Sequence, residues 1–250
     1  MRFYSREVAF VEGILNVNIY GDSLMRATVV DEAFRYHTLM RQFTQRMLES
    51  LKVQIRNKAH FGYTADRGYA VLQKDKDKGF ECRFALVEFG GNDCNFDWQA
   101  ISEAPEAEHG PKVPLEQFVE TMDKMTDTLL AAGVEPILMT LPPLDAERYF
   151  DCIGRTVERM DNVLKWLGDK QVIYRFQEMY SAAIQKLAMR KGLEIVDIRS
   201  YFLDKRDYRD FVARDGIHLT EKGYDLIYTA FCDFLREKGV TPQTPATLSV

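Results

Sequence analysis

The sequence predicts an α/β protein: one mainly parallel, five-stranded sheet with helices on both faces. Two observations predict it. Short apolar runs rich in β-branched residues alternate with longer stretches of helical periodicity, as a sheet built from strand–helix–strand crossovers requires. Each run is also bounded by Gly, Pro or charged residues, as buried parallel strands usually are.

The first run is Val17-Asn18-Ile19-Tyr20, and it leads straight into Gly21-Asp22-Ser23. Residues 31–51 then repeat Phe34, Leu39, Phe43, Met47 and Leu51 near the helical period. The expectation is a helix whose N-terminus lies near Ser23 and which holds His37 as a structural residue. The second run is 52–56 and the third 84–89. Between them Lys74-Asp75-Lys76-Asp77-Lys78 alternates in sign and reads as a solvated turn. Residues 115–132 set Phe118, Met122, Met125 and Leu129 on one face before the fourth run, 136–139. The segment 145–170 holds more helix than a crossover needs, which predicts an extra helix near the functional edge of the sheet. Residues 171–191 carry Tyr174, Met179, Ala183 and Leu187 at helical spacing and stop at Gly192, a natural C-terminal cap. After the fifth run, 194–198, a last helix shows Tyr224, Ile227, Tyr228, Phe231 and Leu235 behind Thr220 as N-cap. These Met and aromatic stripes read as core, not as cofactor boxes. No repeat or linker divides the chain, so residues 1–250 read as one domain with a loosely packed tail at 240–250.

A net charge of −5 without a dense Lys/Arg block argues against nucleic acid or an anionic membrane as partner. Cys82, Cys94, Cys152 and Cys232 are widely spaced and form no C-x-x-C pair, which supports neither a metal site nor a disulfide framework. Arg2, Arg6, Glu7 and Glu12 leave no apolar stretch suited to a secretory signal. The expectation is a cytoplasmic protein without membrane insertion. Nothing in the pattern specifies an oligomeric state.

Ser23 follows the first strand, at the edge where open sheets gather functional groups. A serine there also suits a helix cap or a turn. Of the other histidines, His37 lies in the helical stretch, His109 in an exposed polar loop beside Gly110-Pro111, and His60 in a turn after the second strand. His218 stands just before the last helix with Asp215 one turn upstream. An imidazole oriented by a carboxylate is what a serine hydroxyl needs to become a nucleophile. The same Asp-x-x-His equally fits a turn whose Asp bonds the backbone. Asn92, after Gly90-Gly91, offers an amide to a developing oxyanion or fills a left-handed turn position. No G-x-S-x-G nucleophile elbow is present, and neither phosphate-binding glycine pattern follows the first strand.

Gly21-Asp22-Ser23-Leu24, Gly90-Gly91-Asn92-Asp93 and Asp215-Gly216-Ile217-His218, in that order, resemble three blocks of the SGNH (GDSL-type) hydrolase family of serine esterases and lipase-like enzymes. The family's remaining block centres on a glycine. Gly62, in His60-Phe61-Gly62-Tyr63-Thr64, is the better match and Gly68 the weaker. The resemblance implies a flavodoxin-like, doubly wound three-layer α/β/α sandwich. It also implies Ser23 as nucleophile, His218 as base and Asp215 as its orienter. The oxyanion hole would then be the Ser23 and Gly62 backbone N–H groups with the Asn92 side chain, leaving Asp22 and Asp93 structural and requiring no cofactor or metal. The activity implied is hydrolysis of small acyl or acetyl esters through an acyl-enzyme. A carbohydrate deacetylase or acyl thioesterase would use the same chemistry, and a non-catalytic ligand-binding domain would use the same fold. The loops after the third and fourth strands carry Phe96, Trp98, Pro142, Pro143, Tyr149 and Phe150, which either line an acyl pocket or pack the loops.

Overall fold

The computed structural model describes residues 14–239, so the expected tail at 240–250 lies outside the described residues. After β1 (Leu15–Tyr20), a hairpin of β2 (Thr28–Val30) and β3 (Tyr36–Thr38) leads into α1 (Met40–Leu51) and β4 (Val53–Asn57). Next come α2 (Ala65–Lys78), β5 (Phe84–Val87), α3 (Trp98–Glu103), α4 (Leu115–Ala131) and β6 (Glu135–Met139). Beyond β6 lie α5 (Ala146–Ile153), α6 (Met160–Leu167) and α7 (Gln171–Lys191), then β7 (Glu194–Val196) and α8 (Ile198–Leu203). A 3₁₀ turn at Tyr208–Phe211 precedes α9 (Glu221–Glu237).

The five expected runs form one five-stranded sheet in the order β4-β1-β5-β6-β7, every pair parallel. Strand alternation sorts the side chains into two cores. Ile19 of β1 and Leu86 of β5 pack with Phe202 of α8 and with Tyr224 and Ile227 of α9. Their chain neighbours Tyr20, Ala85 and Val87 pack on the opposite face with Leu72 of α2, Met122 and Met125 of α4, and Tyr180 and Ile184 of α7. The result is a three-layer α/β/α sandwich. The chain leaves β1 for β4 on one side and returns to β5 on the other, so the order of strands reverses between β1 and β5. A crevice opens beyond the carboxyl ends of strands at such a point, and Ser23 and Asn92 both follow those two strands.

Three expectations change. Residues 31–51 are not one helix: 28–38 form the β2–β3 hairpin and only α1 is helical. Asp31 explains the difference, because its carboxylate accepts from the Ala33 and Arg35 N–H groups and binds the side chains of Arg35 and His37. An Asp that satisfies the backbone of a turn this way competes with helix. His37 is therefore an exposed β3 residue, not part of a helix. The run at 74–78 is the last part of α2 and not a solvated turn; Asp75 there accepts from the Tyr20 hydroxyl and from Lys58. The segment 145–170 supplies two helices, α5 and α6, where one extra helix was expected. Among the described residues no helix is long and apolar enough to cross a membrane.

Candidate active site

Gly21-Asp22-Ser23 leaves β1 in a run of turns, with no helix following directly, so Ser23 is not placed by a helix N-terminus. Hydrogen bonds do the placing. Asp22 Oδ1 accepts from the Leu24 N–H at 2.9 Å, and the Ser23 carbonyl accepts from the Thr28 N–H at 3.2 Å. The hydroxyl is left half-buried and faces the turn before α9.

That turn brings Asp215 and His218 to the serine. His218 Nε2 lies 2.9 Å from Ser23 Oγ, and Nδ1 lies 2.6 Å from Asp215 Oδ2. A carboxylate can only accept, so Nδ1–H donates to Asp215 and Nε2 is left to accept from the serine. Asp215 serves both alternatives the sequence left open: Oδ2 meets the imidazole, while Oδ1 accepts the Ile217 and His218 N–H groups at 3.2 and 3.0 Å. Burial alone would raise its carboxyl; the hydrogen bond and charge of His218 and those two N–H groups outweigh it and hold Asp215 below the usual carboxylate value. The turn docks on α5, the Asp145 N–H donating to the Gly216 carbonyl at 2.8 Å. Gly216 has φ +80°, and a Cβ there would lie 2.3 Å from the Tyr149 nitrogen. Only glycine fits that contact.

Beneath the serine lies a floor of carboxyl groups. Asn92 Nδ2 donates to Asp22 Oδ2 at 2.8 Å, which joins the turn after β5 to the turn after β1. Asp93 accepts from the Ala65 N–H through Oδ1 (2.9 Å) and the Gly90 N–H through Oδ2 (3.0 Å), tying the glycine turn to the start of α2. Burial raises Asp22 to about 6, against the pull of the Leu24 N–H and His218, and raises Asp93 to about 7. Glu88, which the sequence reading passed over inside a strand, lies against Asp22 and lines the same cavity. A charged residue at the end of an otherwise apolar run was its available signal.

The cavity beside Ser23 has a volume of about 80 Å³. Phe96, Trp98, Pro142 and Tyr149 line it; Phe150 and Pro143 do not. Phe96 and Trp98 also pack among α3, α5 and α6, so they both line the cavity and pack the loops. Trp98 Nε1 and the Tyr149 hydroxyl both donate to Asn95 Oδ1, at 2.8 and 2.9 Å, which stiffens this wall.

Gly62 has φ +74° and sits in the turn after β4, outside the residues that line the cavity; Gly91 lines it instead. Its neighbour Phe61 stacks on His218 at 5.8 Å between centroids, and Tyr36 from β3 meets the same ring edge-on at 5.2 Å. Tyr36 carries no signal of this role in the sequence, because its segment has helical spacing. Gly68 lies within α2, where a Cβ would fall 2.0 Å from the Phe89 ring, so it packs a helix and forms no part of the cleft. His60 stacks on Tyr63, and His109 is half-buried and bonded to the Ala104 carbonyl, not simply exposed. The four cysteines are free thiols, and among the described residues no group of three or more His, Cys, Asp or Glu could hold a metal ion.

The GDSL-like Lipase/Acylhydrolase family model matches residues 19–226. A rice GDSL esterase/lipase, WDL1, is 26% identical over 190 residues, covering 74% of this chain and 66% of its own. The Arabidopsis thaliana GDSL esterase/lipase CPRD49 is 28% identical over 181 residues, covering 70% and 64%. The chain thus spans about two thirds of the length of these relatives. Among solved structures, a lipase/acylhydrolase from Enterococcus faecalis superposes with a TM-score of 0.62 at 19% identity, covering 92% of this chain and 100% of that one. A catalytic mutant of an acetylxylan esterase from Geobacillus stearothermophilus gives 0.63 at 18%, covering 92% and 96%.

Proposed function

Since the chain belongs to the GDSL-like lipase/acylhydrolase family, we propose that it hydrolyses carboxylic esters of small acyl groups, with Ser23, His218 and Asp215 as its catalytic residues. The observation that carries this reading is the continuous contact from Asp215 Oδ2 through His218 to Ser23 Oγ, at 2.6 and 2.9 Å. Ser23 Oγ attacks the acyl carbonyl while its proton passes to His218 Nε2, and buried Asp215 stabilises the imidazolium. The carbonyl oxygen, now negative, is met by the Ser23 N–H and the Asn92 amide, whereas Gly62, which the resemblance also implies, lies outside the cavity lining. As the intermediate collapses, His218 returns its proton to the departing alcohol and leaves the acyl group on Ser23. Water, deprotonated by the same His218, then attacks the acyl-enzyme and releases the carboxylic acid. Nothing in these steps draws on a metal or organic cofactor.

Cavity size supports the choice of acyl group. About 80 Å³ beside the serine suits an acetyl-sized group better than a long chain, since sites for drug-sized ligands run to roughly 300–1,000 Å³. Acetylated carbohydrate is a second reading, favoured by the likeness to the acetylxylan esterase. The test is labelling with a fluorophosphonate serine probe and peptide mapping, alongside hydrolysis of aryl acetate, acetylated sugar and acyl thioester. We expect adduct on Ser23 that disappears in His218→Ala, and a folded Ser23→Ala protein that has lost about 10⁴-fold or more in kcat. Retained turnover in Ser23→Ala overturns the reading.

A further inference from the structure

Glu88 is 1% exposed, lies just past the end of β5, and lines the cavity that holds Ser23. Its carboxyl group lies against that of Asp22, whose backbone N–H also faces it, and its Oε2 has no partner among the described residues. Asp22 in turn accepts from Asn92 Nδ2 at 2.8 Å and from the Leu24 N–H at 2.9 Å. These contacts form one line from Glu88 through Asp22 to the amide beside the nucleophile. We propose that Glu88 is a positioning residue: as a carboxylic acid it donates a hydrogen bond to Asp22, and through Asp22 it fixes the Asn92 amide. This rests on Asn92 being an oxyanion donor, as in the proposed function.

Two carboxyl groups in contact cannot both ionise cheaply, so such a pair holds one proton between them. The surroundings decide where it sits. Facing the pair are Asp93 from the turn after β5, Tyr224 from α9 and His218 from the turn before α9. Of these only His218 can carry positive charge, and its influence reaches Asp22. Asp22 also takes the Leu24 and Asn92 donors, each of which favours a carboxylate. Glu88 lies deeper in negative surroundings: burial first, then the charges of Asp22 and Asp93, push it well above the usual value. At neutral pH the proton therefore rests on Glu88, and Asp22 remains an acceptor.

An amide anchored by one N–H to a fixed carboxylate keeps its second N–H in a set direction. Loss of the Glu88 donor would free Asp22 to turn and slacken that anchor. The oxyanion exists only after attack, so the damage falls on kcat and not on substrate affinity.

The experiment follows p-nitrophenyl acetate hydrolysis by the full chain from about pH 7 to about pH 10 for wild type, Glu88→Gln and Glu88→Leu. It also records the ¹⁵N side-chain amide resonances of Asn92. Wild-type kcat should fall at the alkaline end as the pair loses its shared proton. E88Q still donates to Asp22 but cannot ionise, so it should keep kcat within about threefold at neutral pH, lose the alkaline fall, and leave the Asn92 resonances in place. E88L should lose about tenfold in kcat with KM little changed and displace those resonances. Wild-type kcat and resonances in E88L overturn the proposal, and so does a wild-type alkaline fall in E88Q. If E88L does not fold, the E88Q pH profile decides alone. A wild type that hydrolyses no ester overturns the proposed function instead, and the Asn92 resonances still decide the role of Glu88.

Discussion

The floor of the Ser23 cleft is buried and bonded to backbone, whereas its rim is exposed and held by rings and guanidinium groups. On the floor Asp22, Asp93, Asp215 and His218 are all at most 4% exposed. Each of the three aspartates accepts at least one backbone N–H from a turn at a strand end or before α9. On the rim Tyr36 is 48% and Phe61 52% exposed, and they meet His218 only through ring contacts. The β2–β3 hairpin that carries Tyr36 is pinned at Phe34, whose ring lies under Arg155 at 3.8 Å and near Arg214 at 5.3 Å. Directional bonds to rigid strand ends set the geometry of reacting atoms. Ring contacts on a hairpin exclude water and bound a binding surface, but tolerate displacement. On this division, changes to the floor should alter turnover and changes to the rim should alter binding.

Asp215→Asn tests that division hardest. The variant keeps an oxygen acceptor for the Ile217 and His218 N–H groups but presents a neutral group to the imidazole, which leaves the tautomer unfixed and the imidazolium unsupported. We expect kcat to fall about 10⁴-fold with the fold intact, measured as ester turnover beside a circular dichroism spectrum. A loss below about tenfold would mean that the carboxylate serves only its turn. Next in size is Asn92→Ala, with an expected loss of about 10²–10³ in kcat and little change in KM. A rise in KM with kcat preserved would move Asn92 from the floor to the binding surface.

The floor also predicts how stability responds to pH. Asp22 and Asp93 have values in the fold, about 6 and about 7, above the usual carboxylate value. Their stabilising effect is full below that usual value and is lost as pH rises through 6 and 7. Asp215 acts in the opposite sense: held low, it stabilises above the usual value and that effect is lost as pH falls below it. The thermal midpoint should therefore be higher near pH 5 than near pH 8, by roughly 5 °C. A midpoint that rises over that interval would show that the N–H donors to Asp22 and Asp93, and not their burial, govern their ionisation.

The same contrast explains what could be read in the sequence. The five strands were legible because burial on both faces leaves apolar runs that survive in any context, as in Phe84-Ala85-Leu86-Val87. Ser23, Asn92, Asp215 and His218 stood out because they sit next to such runs or before a capped helix. The hairpin did not, because Phe34, Leu39 and Phe43 mimic a helical face while a single side chain, Asp31, decides against helix. Glu88 was hidden because its meaning depends on Asp22, which is distant in sequence and adjacent only through the pairing of β1 with β5. Gly62 matched a motif, yet its place relative to the cavity depends on a turn whose direction no local pattern encodes.

The smallest effect expected is at Tyr36, and it sharpens the comparison most finely. Its ring meets His218 edge-on at 5.2 Å and Phe61 at 5.1 Å, so it closes one side of the cleft through ring contacts. Removing it in Tyr36→Ala should widen the entrance and admit water to the imidazole while Asp215 and Ser23 keep their hold on both ring nitrogens. We expect KM to rise about two- to fivefold with kcat within about twofold, as loss of uniform binding predicts. Stability should change by about 1 kcal/mol or less, because the ring is half exposed and its hairpin is anchored at Phe34. If kcat instead falls about tenfold at constant KM, Tyr36 holds His218 in register. The boundary between floor and rim would then run outside the hairpin, and the imidazole would owe its position to ring packing as well as to Asp215.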